Sequence, residues 1–459
     1  MIGLSAGLEV AKKALSAYQL ALEVYSNNIA NVNTPGYSRR TPRLKESAQA
    51  QLPFGRIGLG VDVASVSRMR DKFLDFAYRK ESSSVGRYDS MEEALSEVET
   101  ALNEPSDVNL GNALTQFWES WQELANQPES STARGAVAST ASALARALGQ
   151  TATQLTDLRT SLDNEITGSV QDINSIASKI GELNGEIIKT QASGGEASDL
   201  ADQRDALLDQ LSNLATISVS ESKDGSVSVS IGSEALVERS TVVPLSVVER
   251  ADDGLSIADV KVVSGTRNLS IAGGKLAGLL ESRDSIIPKY MSKLDEVANA
   301  LVQSVNAAHR SGYDLNGKTG GDFFDPAGTT AATIQVASAI LNDPSLIAAS
   351  ADTSVGNGDN ALAISDLRLK GQLGDSNATI DDYYNSMIGS LGVESSSAKN
   401  QKETEDLLLQ EISSRRESVT GVSLDEETTN LIATQHAYQA ATKVVSIVDS
   451  LMASLIDAM

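Results

Sequence analysis

The residues able to do acid–base or metal chemistry are few, and their spacing is wrong for it. The chain has two histidines, His309 and His436, and no cysteine. Both histidines fall in helical text without a carboxylate at metal-ligand spacing, so each reads as a packed or solvated helix residue. The lack of cysteine excludes disulfides, thiolate metal sites and a cysteine nucleophile. No zinc-protease, nucleophile-elbow or phosphate-loop string occurs. Asp314-Leu315-Asn316-Gly317-Lys318 opens like a calcium loop and then fails, with lysine at the fifth ligand place and no glycine at the sixth. A glycine-rich turn is the better reading. Gly58-Leu59-Gly60 is a fragment of a dinucleotide fingerprint that lacks the following helix. Among 61 acidic residues carboxylate pairs arise by chance and carry no weight. No active site, metal or cofactor is expected, and the chain reads as something other than an enzyme.

The informative pattern lies in the elements at the two ends. Leu8, Leu15, Leu22 and Ile29 recur every seven residues, interleaved with Leu4, Ala11, Tyr18, Tyr25 and Val32. At the other end Leu424, Leu431, Tyr438, Val445, Met452 and Met459 repeat the register, with Thr434, Ala441, Val448 and Leu455 in the second seam position. A 3.5-residue apolar repeat is the condition for left-handed coiled-coil packing. Each stretch makes a helix of roughly 43 to 54 Å at 1.5 Å per residue. A helix that long with one apolar stripe cannot bury the stripe alone. Its simplest partner is the other end of the chain, and the next simplest is a neighbouring copy. Either arrangement suits an assembly subunit, although an intramolecular pair in a monomer would satisfy the pattern too.

Composition narrows the class. The chain of 459 residues is long enough for several domains. It carries 37 basic against 61 acidic residues, a net charge of −24. A field of that sign repels phosphate backbones and anionic membrane surfaces, so neither nucleic acid nor a bilayer is an expected partner. No apolar run is long enough to span a membrane. The first residues, Met1 to Gly7, lack the basic region and apolar core of a Sec-type signal, so export would need another route. Aromatics are only 4%, with Trp118 and Trp121 the sole tryptophans, which suits rods and bundles better than deep aromatic pockets.

Along the chain, the first helix should stop at Asn33-Thr34-Pro35-Gly36. Residues 36–75 read as an extended β connector broken by Pro42, Pro53, Gly55, Gly58 and Gly60. Helical text resumes near Arg70, with boundaries at Pro105 and Pro128. Apolar residues from Leu155 to Ile187 keep three-or-four spacing, predicting a rod over about 132–190 that turns at Ser193-Gly194-Gly195 and returns as a helix over 199–214. Residues 216–273 switch to alternation with a hairpin signal at Asp224-Gly225, an inserted β domain. Helix returns over 274–310, kinked or split at Pro288, followed by a small irregular module over 311–380 and a helix over 381–419. The expected fold is therefore mainly α with inserted β. The end segments 1–35 and 420–459 pair as a coiled coil, and 76–215, 274–310 and 381–419 form a helical rod domain.

Ser26-Asn27-Asn28-Ile29-Ala30-Asn31-Val32-Asn33-Thr34-Pro35-Gly36-Tyr37-Ser38-Arg39-Arg40 closely resembles the N-terminal signature of bacterial flagellar axial proteins, the rod, hook and hook-associated superfamily. The passage from Gly58 to Leu74, with Arg68, Asp71 and Phe73, is similar to the segment that follows the signature in the first hook-associated family. So are Gly274–Leu280 with Arg283, Asp284 and Pro288, Gly312–Gly317 with Phe323-Phe324, and Gly421–Glu427 with Asn430-Leu431 and Gln435–Ala441. Together these markers span the chain.

The resemblance implies a structural subunit of the hook–filament junction, held by a dedicated flagellar export chaperone and exported unfolded through the type III export apparatus. Outside the cell it would assemble with itself on the hook protein, beneath the second hook–filament junction protein. The residues implied to matter are the two heptad seams and Asn27, Asn28, Asn31, Asn33, Pro35, Gly36 and Tyr37. The short 311–380 module departs from family members that carry a larger outer domain. Marginal end helices would explain a soluble monomer that orders on a template, since ordering entropy is recovered only on packing. Two rivals remain: another axial protein such as the hook or a rod protein, and a secreted adhesin that uses the flagellar route. The long rod opposes the hook reading, because the hook protein is mostly β outside its ends. Glycan binding by 216–380 would favour the adhesin.

Overall fold

The computed structural model describes residues 2–52, 55–102, 109–263, 269–373 and 377–457. Pro53, Pro105 and Met459 lie outside the described residues, as do the side chains of Leu4 and Leu455. The fold is mostly helix, with small antiparallel sheets.

Helix α1 (Ile2–Ala30) ends at the asparagine-rich turn. Four strands follow, β1 (Arg40–Glu46), β2 (Gln49–Leu52), β3 (Gly55–Gly58) and β4 (Val61–Arg68). β1 pairs with β4 and β2 with β3, so the connector is a long hairpin in two stages. Next come α2 (Lys72–Leu102), α3 (Leu110–Asn126), α4 (Ser131–Ala192) and α5 (Ser198–Leu214). α4 has 62 residues, about 93 Å of rod at 1.5 Å per residue. Ser130 caps its start by accepting from the Ala133 N–H at 3.2 Å, and no proline interrupts it. The reversal at Ser193-Gly194 places Gly194 at φ +78°, and α5 returns along α4.

β5 (Ile217–Glu221), β6 (Val227–Ile231), β7 (Glu234–Glu238) and β8 (Thr241–Val242) follow in one antiparallel sheet. A separate hairpin joins β9 (Leu245–Asp252) to β10 (Leu255–Val262). Gly225 takes φ +76° in the Asp224-Gly225 turn, as a tight hairpin requires.

The helix expected over 274–310 is divided earlier than its proline. α6 (Lys275–Glu281) passes through one π-helical turn, Ser282–Ile286, into α7 (Ile287–Ser311), and Pro288 occupies the first turn of α7. The helix runs on without a cap, so the proline withdraws one donor from it, and in the π turn the Arg283 carbonyl accepts from Arg159 Nε at 3.1 Å. Two of the glycines in this passage are demanded by the packing. Gly274 has φ +84°, and a Cβ on it would lie 2.4 Å from the Ala215 backbone. A Cβ on Gly278 would meet Ser90 Oγ at 2.2 Å, so α6 and α2 touch backbone to backbone. Arg283, fully buried, spans from α6–α7 to α4 and β10 through Asp163 at 2.6 Å and the Ala258 carbonyl at 2.7 Å.

The described residues of the irregular stretch include the short helices α8 (Ser338–Asn342) and α9 (Asp359–Ser365), before α10 (Ile380–Thr420) and α11 (Leu424–Asp457). Asp314 accepts from the Asn316 and Lys318 N–H groups at 2.8 Å each, so the calcium-like string is a self-capped turn. Asn306 Oδ1 accepts from the Phe323 and Phe324 N–H groups at 2.9 and 2.8 Å, seating both rings in the core. There they meet Phe117 and Trp121, with the Trp121–Phe323 centroids 5.1 Å apart. His309 is packed, as expected of a helix histidine. Its Nδ1 donates to the Gly321 carbonyl at 2.8 Å while Nε2 accepts from the Ala348 N–H at 2.8 Å. That arrangement assigns the neutral tautomer, and burial lowers its pKa. His436 is exposed.

α10 packs on α2, and Glu81 lies between them with Oε1 buried and unpartnered. Burial, then the hydrogen bond and repulsion from the Glu405 carboxyl, raise the Glu81 pKa to about 7. A raised carboxyl pKa favours the fold below the unfolded value and loses that advantage as pH rises through 7. Glu81→Gln should therefore raise the melting temperature at pH 8 and leave it nearly unchanged at pH 5, measured by calorimetry at both.

Candidate assembly site

α1 lies along α11, and both rest on the β1/β4 hairpin through α1. On α1 the most buried residues are Ala11, Ala17, Ala21, Val24 and Asn28. Ala11 belongs to the sequence-derived seam, while Leu8, Leu15, Tyr18, Leu22, Tyr25 and Ile29 are half-buried. The periodicity missed Ala17, Ala21 and Val24. Ala17 and Ala21 are small and allow close approach without an apolar-bulk signal, while Val24 lies one residue off the heptad register. On α11, Leu431, Tyr438, Val445 and Met452 are half-buried, and Ala441 and Val448 are buried. Leu424, at the start of the helix, is 48% exposed. Ile432, Val444, Ile447, Leu451 and Ile456 are exposed as well. Val444, Ile447 and Leu451 form a second apolar strip about 100° round the helix from the seam, by helical geometry.

Below the helix pair sits a polar joint. Asn28 is fully buried and uses its whole amide. Nδ2 donates to the Arg40 carbonyl and to Glu427 Oε2, each at 2.8 Å. Oδ1 accepts from the Arg40 N–H at 3.0 Å and from the Tyr37 hydroxyl at 2.8 Å. Glu427, whose side chain is 0% exposed, receives Arg39 Nε at 2.7 Å on its other oxygen. Arg39 also meets Glu426 at 2.8 Å, and its N–H donates to the Thr420 carbonyl. Asn28, Arg39 and Glu427 thus tie α1, the connector and α11 at one point.

The remaining signature residues shape the turn. Asn31 Nδ2 donates to the Asn27 carbonyl at 2.9 Å, and the Tyr37 hydroxyl donates to Asn27 Oδ1 at 3.0 Å. Thr34 Oγ1 donates to Asn31 Oδ1. Gly36 holds φ +80°, next to exposed Asn33 and Pro35.

The joint rests on an ionic belt. α5 presents Asp199, Asp202, Asp205 and Asp209 on one face, at steps of three, three and four. Arg68 meets Asp202 at 2.7 Å and Asp205 at 2.8 Å. Arg79 meets Asp209 at 2.8 Å, and Arg416 from α10 takes the other Asp209 oxygen at 2.6 Å. Arg70 holds Asp75 at 2.5 Å and approaches Asp205 at 3.4 Å, while Arg40 reaches Asp199 and Asp202. Burial works against the Asp205 carboxylate, but Arg70, Arg68 and Arg79 outweigh it and hold its pKa below the usual range. The sequence carries a cue to this belt. A three-three-four row of aspartates puts four charges on one helix face, and the arginines crowd both ends of the connector.

Among the described residues there is no group of three metal-ligating side chains and no helix long and apolar enough to cross a membrane. The arrangement can hold segments together; it does not present a reacting group.

Two outcomes follow from the joint. Asn28→Ala should leave the buried Glu427 carboxylate short of a donor, costing about 1–3 kcal/mol, read as a lower melting temperature and faster proteolysis at both ends. Asp205 favours the fold above its unfolded value of 3.8 and loses that contribution as pH falls through its lower folded pKa. The ends should therefore loosen only below about pH 4, measured by hydrogen exchange at α1 and α11.

Comparisons with known proteins agree with this layout. The family described as "Flagellar hook-associated protein FlgK helical domain" matches residues 95–324. "Flagella basal body rod protein" matches 8–37, and "Flagellar basal body rod FlgEFG protein C-terminal" matches 416–458. The chain is 34% identical to flagellar hook-associated protein 1 of Bacillus subtilis, covering 99% of this chain and 98% of that protein. It is 26% identical to the protein of the same name in Escherichia coli, covering 97% and 98%. Its fold is similar to that of the flagellar hook junction protein FlgK from Burkholderia pseudomallei, with a TM-score of 0.64 at 18% identity over 74% of this chain and 100% of that one. The chain belongs to the flagellar hook-associated protein 1 family, whose role is structural and not enzymatic.

Proposed function

We infer that this structural subunit of the flagellar hook–filament junction assembles through its α1/α11 pair, with the Asn28–Arg39–Glu427 joint setting the pair's attachment to the trunk. The observation that carries the reading is the second apolar strip on α11. Val444, Ile447 and Leu451 stay exposed although α1 already lies along the helix, so the pair still has an apolar face to bury. A neighbouring copy carries the same face and supplies the missing partner.

In this reading α1 and α11 form a coiled coil through Leu4, Leu8, Ala11, Leu15, Tyr18, Leu22, Tyr25 and Ile29 against Leu424, Leu431, Tyr438, Val445, Val448, Met452 and Leu455. The signature Asn27, Asn28, Asn31, Asn33, Pro35, Gly36 and Tyr37 shapes the turn leading into the joint. Segments 1–35 and 420–459 are the assembly domain, 36–75 the connector, and 76–215, 274–310 and 381–419 the rod domain. Residues 216–273 and 311–380 are outer modules. The subunit stacks on hook protein below and receives the second junction protein above. Before export it is cytoplasmic, held by a flagellar export chaperone, and it leaves through the type III apparatus.

In a strain lacking this protein, electron microscopy should show hooks without filaments and flagellin shed into the medium; intact filaments would remove the junction role. Leu15→Asp or Val445→Asp should abolish filament formation while leaving the trunk's calorimetric melting intact, because an unpaired charge in the seam costs several kcal/mol of packing.

A further inference from the structure

The upper half of α10 is seated by apolar burial and the lower half is not. Ile380, Tyr384, Met387, Leu391 and Ala398 are buried, whereas no residue from 399 to 419 is. Leu407 and Leu408 are 68% and 48% exposed, and Leu409, Ile412 and Val419 are half-buried. Two open grooves of about 680 and 640 Å³ border this stretch, each lined by Tyr78 of α2 and Leu409 of α10. Residues 399–420 therefore lie on the trunk as a strap held by polar contacts at a few points. Lys402 reaches Asp89 at 2.5 Å and Glu92 at 3.5 Å. Arg416 meets Asp209 at 2.6 Å and lies over the Tyr78 ring. At the end of the strap the Thr420 carbonyl accepts from the Arg39 N–H at 2.8 Å.

Between Lys402 and Arg416 the strap meets α2 through two acids. Glu405 and Glu81 of α2 stand within hydrogen-bond reach. Two carboxylates cannot bond each other, so the contact exists only while one of them carries a proton. Glu81 Oε1 is buried without a donor from any other group, while Gln401 donates to Glu405 Oε1 at 2.7 Å. Lys80, next to Glu81 on α2, is the cation that acts on it. On α10 the neighbouring charges are Lys402, held by Asp89 and Glu92, and Asp406, which lines the first groove. Asp209 of α5 is matched by Arg79 and Arg416, and Lys275 of α6 by Glu165. Asp172 and Lys179 of α4 line the second groove beside Tyr78 and Ser82. Burial and the facing Glu405 push the Glu81 carboxyl up to about 7. Asp89 raises the pKa of Lys402, which stays charged across this range.

We propose that residues 399–420 are a proton-locked strap: the proton shared by Glu81 and Glu405 fixes them on α2, and its loss frees them below Ala398. In the freed state Lys402 and Arg416 still tether the strap, so it shifts over the grooves without leaving the trunk. Gly421 follows directly and α11 begins at Leu424, so the freedom of the strap passes to the start of the assembly pair. That last step rests on the proposed role of the α1/α11 pair; the lock itself does not. The seated strap binds the proton more tightly than the freed one. Its opening constant therefore rises with pH between the ordinary carboxyl value of 4.5 and about 7, by at most about tenfold per pH unit, and levels off above.

Hydrogen exchange of the full-length protein at pH 5, 6, 7 and 8, divided by the intrinsic rate at each pH, reads this constant segment by segment. Residues 399–419 should open more readily from pH 5 to 7 and no further at 8, while 380–398 should not change. Glu81→Gln, whose amide donates to Glu405 at any of these pH values, should hold 399–419 at the pH 5 level throughout. Glu405→Gln should do the same, and it serves if the first variant does not fold. An unchanged strap in the wild-type protein would overturn the proposal. So would equal loosening of 380–398, which would mean a general loss of packing, and so would a folded variant that follows wild type. The start of α11 is followed in the same samples. It should loosen with the strap in wild type and stay unchanged in Glu81→Gln; His436 is common to both proteins, so its own proton cancels. A strap that loosens while α11 does not would keep the lock and overturn its passage to the assembly pair.

Discussion

A carboxylate with no exposed atom governs the geometry of the two ends. Glu427 would be costly to bury alone, because an isolated charge away from water loses far more than packing returns. It is tolerated because Asn28 and Arg39 each bring a donor to a separate oxygen. Asn28 is equally constrained, with two donors and two acceptor positions all filled. Neither residue can move without orphaning the other. Residues 399 positions apart are thereby held in one register, and the helix pair leaves the trunk in a defined direction.

The aspartate row of α5 extends the same logic into the trunk. Its four carboxylates receive arginines from the connector, from α2 and from the end of α10. Shared partners reduce the entropy cost of each pair, since an arginine already fixed by one aspartate loses little more in meeting another. The belt joins the segments at the base of the rod, where few apolar residues are available to do so. Farther along, the core is apolar and aromatic, with Phe117, Trp121, Phe323 and Phe324 in contact.

Periodic elements were legible in the sequence because burial on one face leaves a period. The rod over α4, the return helix α5, the hairpin at Asp224-Gly225 and the long helix of α10 could all be read this way. The π-helical turn at Ser282–Ile286 was legible only in part, since Pro288 marks a break in the helix without saying what form it takes. The α1 face was only partly visible, because alanine carries almost no hydropathy signal at Ala17 and Ala21 while determining how near two helices can come. The ionic belt stayed hidden for a different reason. Charges are abundant in this chain, and only the fold shows which aspartates meet arginines. The signature from Asn27 to Tyr37 was recognisable as a string, yet its physical meaning, a turn that delivers Asn28 and Arg39 to Glu427, needed the far end of the chain to be in place.

The chain therefore uses two adhesives with different rules. Within a copy, the joint and belt are made of hydrogen bonds and ion pairs whose angles and distances admit one arrangement. On its outer faces, the α11 strip and the exposed phenylalanines are apolar, and burial of apolar area is non-directional. A directional joint keeps every copy the same shape, so errors do not accumulate from one subunit to the next. A non-directional outer surface tolerates small sliding adjustments between neighbours, without a new set of paired charges for each contact. Exchanging the two would fail on both counts. An apolar joint would let the ends swing, and an ionic outer surface would fix a single neighbour geometry and weaken with salt.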